Sequence, residues 1–324
     1  MTEITYREGL NLGLRDAMEA DADVIVLGED VAAAGGAFKV TDGLLGAFGP
    51  QRVLDTPISE QAIIGAAIGA AVEGLRPVAE IMFADFAATC FDGIANELPK
   101  YRYMTGGQVS VPVVVRMANG AGGGFAAQHS QSVENWFLNV PGLKVAVPGT
   151  PADAYGLLRA AIEDPDPVLF FEHKGLYNSR GAADTLEAVP FGRAATVRQG
   201  SDLTIVASQL MRHRAIEAAE ELSASGIEAT VIDPRTIVPF DLEAVLSSLE
   251  ATNRLVVAQE CPAAGSWGAS LVAQVTGAAF ELLDAPPGLL SAKDTPVPYA
   301  RNLELSWLPS VADIEAVCRA TAAY

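Results

Sequence analysis

The sequence predicts an α/β protein built from two doubly wound domains, each a mostly parallel sheet with helices on both faces. Three observations predict it. Short apolar runs of strand length alternate with longer segments of helical period, the pattern of a parallel sheet covered by helices. The alternation lapses once, across residues 178–200, and then resumes. The length of 324 residues suits about two domains. Residues 1–182 are the expected first domain, 183–200 a linker, and 201–324 a second, smaller domain.

Thr5 reads as a helix N-cap with Glu8 three residues on, a capping box, and Leu10, Leu14, Ala17 and Met18 follow at helical spacing. Val24 to Gly28 is a short apolar strand with Glu29-Asp30 at its carboxyl end, and the Ala/Gly-rich stretch 32–37 is a candidate mobile loop. Residues 51–55 read as a strand. Residues 59–73 read as a helix rich in small residues, Gly65, Ala66, Ala67, Gly69, Ala70 and Ala71, which let a second helix or backbone come close. A strand at 78–82, a helix at 86–100, a β-branched strand at 111–117, a strand at 144–148, a helix at 151–163 and a strand at 167–172 complete the first domain. In the second, strands are expected at 203–208, 229–233 and 254–259, with helices at 211–225, 242–249 and 268–283.

Composition excludes several classes. The formal net charge is −19, from 21 basic and 40 acidic residues, which repels phosphate backbones and argues against a nucleic-acid partner. No apolar run reaches the roughly 18–20 residues of a membrane span, and the charged N-terminus does not read as a signal peptide. Half the residues are hydrophobic, too many for a disordered acidic chain. Cys90, Cys261 and Cys318 are odd in number and lack CxxC spacing, so they read as buried, reduced thiols of a cytoplasmic protein. Residues 1–182 carry 12 basic and 22 acidic residues and residues 183–324 carry 9 and 18, so the charge is shared evenly. It serves either solubility or a basic protein partner.

Four features are candidates for chemistry. The cluster Gly120-Ala121-Gly122-Gly123-Gly124-Phe125 follows a strand, but Phe125 stands where a dinucleotide fingerprint needs glycine. It reads as a loop that brings backbone close to something. Glu60 opens the small-residue helix; it is either a solvated first-turn acid or a carboxylate close to buried surface that can hold a proton. His129 lies on a polar loop just after the glycines, which sets it apart from His173 at a strand end and from His213, expected at the surface. The turn 161–166 is either a helix end closed by Pro165 or a source of carbonyls for a hard cation.

Taken in order along the whole chain, a set of segments resembles the β subunit of the thiamine-diphosphate-dependent first component of 2-oxoacid dehydrogenases, a transketolase-like family that includes pyruvate, branched-chain 2-oxoacid and acetoin dehydrogenases. They are 27–31 (LGEDV), 52–60 (RVLDTPISE), 83–86 (FADF), 100–103 (KYRY), 127–131 (AQHSQ), 141–145 (PGLKV) and 231–236 (VIDPRT). The resemblance implies an N-terminal transketolase-like pyrimidine-binding domain and a C-terminal transketolase-C-like domain. It implies that Glu60 hydrogen-bonds N1′ of the cofactor's aminopyrimidine and so promotes proton loss from thiazolium C2. Phe86 would stack on the pyrimidine with Ile58 beside the ring, and His129 would serve the substrate or the incoming lipoyl group. A potassium ion would sit on backbone carbonyls of Val113, Ala161, Asp164 and Asp166.

The family holds the diphosphate through Mg²⁺ with a Gly-Asp-Gly motif, and this chain has none. The resemblance therefore implies a separate α subunit in an α2β2 assembly, and docking to a dihydrolipoyl acyltransferase core. The stretch 171–177 is closer to pyruvate- or acetoin-type subunits than to branched-chain ones. The glycine run should leave the wall beside His129 flexible. The alternatives are a two-subunit transketolase-like transferase of two-carbon units and a non-catalytic interaction subunit.

Overall fold

The computed structural model describes residues 3–183 and 186–324. Residues 184 and 185, part of the expected linker, and residues 1 and 2 of the N-terminus lie outside the described residues. Two compact units emerge: residues 1–119 with 136–191, and residues 120–135 with 192–324. Residues 120–135, expected in the first domain, belong to the second unit. The expected linker also contributes a strand, Ala195–Arg198, paired antiparallel with Ala229–Asp233. It is too short and mixed for periodicity to reveal.

In the first unit six strands form a parallel sheet in the order 144–146, 168–173, 114–119, 76–81, 24–28 and 53–55. Strands buried on both faces explain the unbroken apolar runs. Helix Tyr6–Ala20 starts with the expected capping box, Thr5 accepting from the Glu8 amide and Glu8 from the Thr5 amide. It packs on helix Pro151–Glu163, and the fit is close: a Cβ on Gly9 would stand 2.4 Å from the Pro151 carbonyl. The strand expected at 111–117 runs instead from Val114 to Asn119, since Pro112 lacks the amide that would extend the ladder. The helix expected at 86–100 is a 3-10 stretch, Ala84–Cys90, followed by a π-helical turn, Gly93–Glu97. This broken path brings Gly93 against Ile64 of helix Glu60–Val72, where a Cβ would meet Cγ2 at 2.8 Å. The loop 32–37 is pinned rather than mobile: the Asp55 carboxylate accepts the Ala32 and Ala33 amides at 2.7 and 3.3 Å, and Gly36 donates to the Asp30 carbonyl at 2.8 Å.

The second unit has a five-stranded sheet in the order 288–290, 255–258, 203–207, 229–233 and 195–198, parallel except for the last strand. Helices Gln209–Ser223 and Val311–Ala322 pack together on one face, and helices Leu242–Thr252 and Trp267–Ala279 pack together elsewhere on the sheet. Among the described residues no helix is long and apolar enough to cross a membrane. Cys90, Cys261 and Cys318 are all free and buried, as expected.

Candidate active site

In the first unit strand Val24–Gly28 has strand 53–55 on one side and strand 76–81 on the other. A chain that leaves its first strand in opposite directions opens a crevice at the carboxyl ends, where doubly wound sheets bind ligands. Glu29 leaves the end of strand Val24–Gly28, and helix Glu60–Val72 begins shortly after strand Val53–Asp55. Glu60 is half-buried, between the two readings open from the sequence. Its N-cap Ser59 makes no side-chain cap bond, and among the described residues no hydrogen bond or ion pair engages the Glu60 carboxylate. Ile58, two residues earlier, is 82% exposed.

Burial raises the Glu29 carboxyl above the usual range, and the nearby charges of Glu60, Asp30 and Glu80 push the same way. Cys90, on the segment that packs against helix Glu60–Val72, has its thiol pushed up to about 12 by burial and then by Glu60. Phe86 lies on that same segment, half-buried, with its ring 5.7 Å from Phe83 in an edge-to-face pair. Phe83 meets Phe38 at 5.5 Å, and Phe38 stacks on Tyr177 at 4.9 Å. The structure thus brings Ile58, Glu60 and Phe86 to one end of one sheet. Sequence reading missed Glu29 as a titrating neighbour, although its place after a strand-ending glycine was visible. It missed Phe38 and Tyr177 altogether, because only the fold joins them.

Below this crevice runs a buried charge ladder. Glu80 and Arg116 face each other across neighbouring strands, joined at 2.7 Å, and Arg116 reaches Glu172 on the next strand at 2.6 and 3.0 Å. Tyr177 donates its hydroxyl to Glu172 at 2.8 Å. Burial works against the charge on Arg116, and Glu172 and Glu80 more than offset it. No sequence motif marks this ladder; it needs the strand register.

His129 lies in the second unit, half-buried. Its amide donates to the Ala126 carbonyl at 3.4 Å, and Gly120 donates to the Gln131 carbonyl at 3.2 Å, closing the loop at its base. The glycine run is not a flexible wall. Ala121 donates its amide to Glu260 at 2.5 Å, and Gly122 and Gly124 donate theirs to the two oxygens of Glu304 at 2.9 and 3.0 Å. These carboxylates, distant in sequence, are what the loop approaches. Of the other histidines, His173 is buried, its Nδ1 accepting from the Gly175 amide, and His213 is half-buried in its helix rather than exposed.

At the turn 161–166 the side chains are engaged. Lys144 reaches both oxygens of Asp164 at 2.5 and 2.6 Å, and Arg102 pairs with Asp166 at 2.6 Å. The Val113 carbonyl accepts the Val168 amide at 3.0 Å. Among the described residues no group of three or more His, Cys, Asp or Glu is placed to hold a metal ion.

Comparison with known proteins agrees with this two-unit architecture. The family "Transketolase, pyrimidine binding domain" matches residues 2–180, and "Transketolase, C-terminal domain" matches residues 192–314. The chain is 46% identical to the acetoin:2,6-dichlorophenolindophenol oxidoreductase subunit beta of Bacillus subtilis, over 95% of this chain and 94% of that protein. It is 46% identical to the pyruvate dehydrogenase E1 component subunit beta of Rickettsia conorii, with 97% of each covered. A solved structure described as a split gene transketolase, inactive beta4 tetramer, superposes with a TM-score of 0.81 at 25% identity, covering 99% of this chain and 98% of that one. The fold and its crevice are thus of the transketolase class. Within it, the chain belongs to the family of β subunits of the pyruvate and acetoin dehydrogenase first component.

Proposed function

We propose that this chain is the β subunit of a thiamine-diphosphate-dependent 2-oxoacid dehydrogenase first component of pyruvate or acetoin type, active only with an α subunit. The observation that carries the reading is Glu60: an unengaged carboxylate at a sheet-switch crevice, with an aromatic ring and an exposed aliphatic side chain nearby. That set fits an aminopyrimidine, which wants one acidic partner and an apolar face. When bound, thiamine diphosphate would supply a thiazolium carbon that, once it has lost its proton, can add to a 2-oxo carbonyl. Glu60 would hydrogen-bond the pyrimidine ring nitrogen, Phe86 would offer its face, and Ile58 would close the edge. Glu29, its carboxyl raised by burial and by the neighbouring charges of Glu60, Asp30 and Glu80, stands beside Glu60. The diphosphate and its Mg²⁺ fall to the α subunit, since no Gly-Asp-Gly exists here.

Helix Glu60–Val72 supports a partner chain. Its outward face carries Ala62, Gly65, Ala66 and Gly69, and nothing stands within 4 Å of a Cβ at either glycine. Each interior glycine costs a helix about 1 kcal/mol relative to alanine, and no neighbour within the chain needs the space. An α subunit packed on this face, in an α2β2 assembly, makes use of it. In this reading the first unit binds the pyrimidine and the second serves dimerisation and acyltransferase docking. The acidic C-terminal half then offers a face to a basic segment of the acyltransferase, an association that weakens with salt. A potassium ion would rest on the carbonyls of Val113, Ala161, Asp164 and Asp166. The two carboxylates there are already neutralised by Lys144 and Arg102, so carbonyl ligation of a monovalent cation fits better than carboxylate ligation.

His129 would act in reductive acylation of the lipoyl group, so His129→Ala lowers acyl transfer more than decarboxylation measured with an artificial acceptor. Equal loss in both removes that role. The test of the whole reading is a panel of pyruvate, 2-oxoisovalerate, acetoin and a ketose phosphate offered to the co-expressed α and β chains. Turnover of pyruvate or acetoin with a lipoyl acceptor is expected. Turnover of the ketose phosphate alone would assign the chain to two-carbon transfer, as its likeness to a split transketolase allows.

A further inference from the structure

We infer that Glu304, assisted by Glu260, is a positioning residue for His129: two buried carboxylates seat the glycine-rich segment 120–124 at the switch crevice of the second unit and so fix the loop that carries the histidine. The inference rests on the role proposed for His129.

The second sheet has the same switch as the first. Its strand 203–207 is flanked by 229–233 and 255–258, which opens a crevice at the carboxyl ends. Here the chain's own loop is at that end. Glu260 lies two residues beyond strand Leu255–Ala258 and accepts from Ala121, while Leu210, just beyond strand Leu203–Ala207, packs with Ala121, Ala292, Val297, Trp307 and Leu308. The Glu304 side chain is fully buried, and among the described residues no ion pair involves it. Its two oxygens instead accept the amides of Gly122 and Gly124, one each. Gly122 and Gly124 have φ of 96° and 73°, the left-handed values that turn alternate amides to one side and form an anion-binding nest. In phosphate-binding loops such a nest takes a ligand; here an internal carboxylate fills it. With Gly120 tied to Gln131, the loop is fixed at 124 and at 131, and His129 lies between.

Glu304→Gln keeps the size of the side chain but presents an NH2 to one of the two amides, so one acceptor is lost and two donors face each other. In the α/β enzyme this variant is expected to speed hydrogen exchange at Gly122 and Gly124. Acyl transfer to a lipoyl acceptor should fall about 10- to 100-fold, as displaced second-layer contacts do, while decarboxylation with an artificial acceptor is retained. Gly124→Ala, which strains the nest without altering a carboxylate, should give the same split more weakly. Glu315→Gln, which removes the partner of Arg319 on an unrelated helix, should change neither. Unchanged exchange at the two amides overturns the clamp. Equal loss of decarboxylation and acyl transfer overturns the positioning role and leaves a stability effect. If the wild-type enzyme shows no acyl transfer at all, the functional reading fails by itself, and exchange at Gly122 and Gly124 still decides the clamp.

Discussion

The two units share a doubly wound plan, and each has a sheet-switch crevice, but they treat it in opposite ways. In the first, Glu60 stands at the crevice without a hydrogen-bond or ion-pair partner among the described residues, and burial raises the carboxyl of Glu29 beside it. In the second, the end of the sheet receives the chain's own glycine-rich loop, and the buried carboxylates Glu260 and Glu304 are spent on its amides. A shared switch in the sheet therefore does not mean identical binding capacity. What decides is whether the polar groups at the strand ends are already satisfied within the chain. A carboxylate bound to backbone amides is structure; one left open is available to a ligand.

The largest expected effect lies under the open crevice. Arg116→Ala strands two buried carboxylates, and a loss of about 3–5 kcal/mol is expected in denaturant unfolding. A loss under about 1 kcal/mol would mean that water or rearrangement relieves the two carboxylates and that the ladder is not a buried, mutually dependent set. Next comes the outward face of helix Glu60–Val72. Gly69→Leu should leave the thermal midpoint of the isolated chain unchanged or slightly raised, because the position has open space. Mixed with the α subunit it should fail to form the complex on gel filtration. Normal assembly would show that this face is not where the partner packs.

A smaller effect is expected at Glu29. Its folded carboxyl titrates above the ordinary glutamate range, so it favours the folded state below that range. This contribution is lost as pH rises through the raised value. Glu29→Gln should flatten that fall in stability, and a wild-type and variant with parallel pH profiles would contradict it. The smallest effect concerns the thiols. Burial holds Cys90 and Cys318 at about 12 and Cys261 well above its usual value. A thiol reagent at pH 8 should label none of the three in the native chain and all three after unfolding.

Much of this was legible in the sequence. Strands and helices with a sustained period, such as 24–28, 151–163 and 209–223, were readable because burial on one or both faces imposes the pattern. The capping box at Thr5 and Glu8 is a local rule and survives intact. Glu60 stood out only as an acid before an almost wholly apolar helix, which is also an ordinary first-turn place for a carboxylate, and its role was implied by the resemblance. What could not be read depends on contacts distant in sequence. Nothing local tells that Gly122 and Gly124 meet Glu304, which is 180 or more residues away. The glycines alone read as flexibility, whereas their left-handed φ values serve a fixed nest. The ladder of Glu80, Arg116 and Glu172 likewise appears only once parallel register sets three strands side by side. The broken helical path over 84–97 answers to the close approach of Gly93 and Ile64, a tertiary demand that propensity does not carry.

The central claim is that the open crevice of the first unit works through Glu60. The direct measurement is turnover of pyruvate or acetoin with an artificial acceptor by the α/β enzyme carrying Glu60→Gln, with assembly checked by gel filtration. A complex that assembles normally and loses several orders of magnitude in turnover is the predicted result. Near-wild-type turnover in an assembled Glu60→Gln complex would contradict the account.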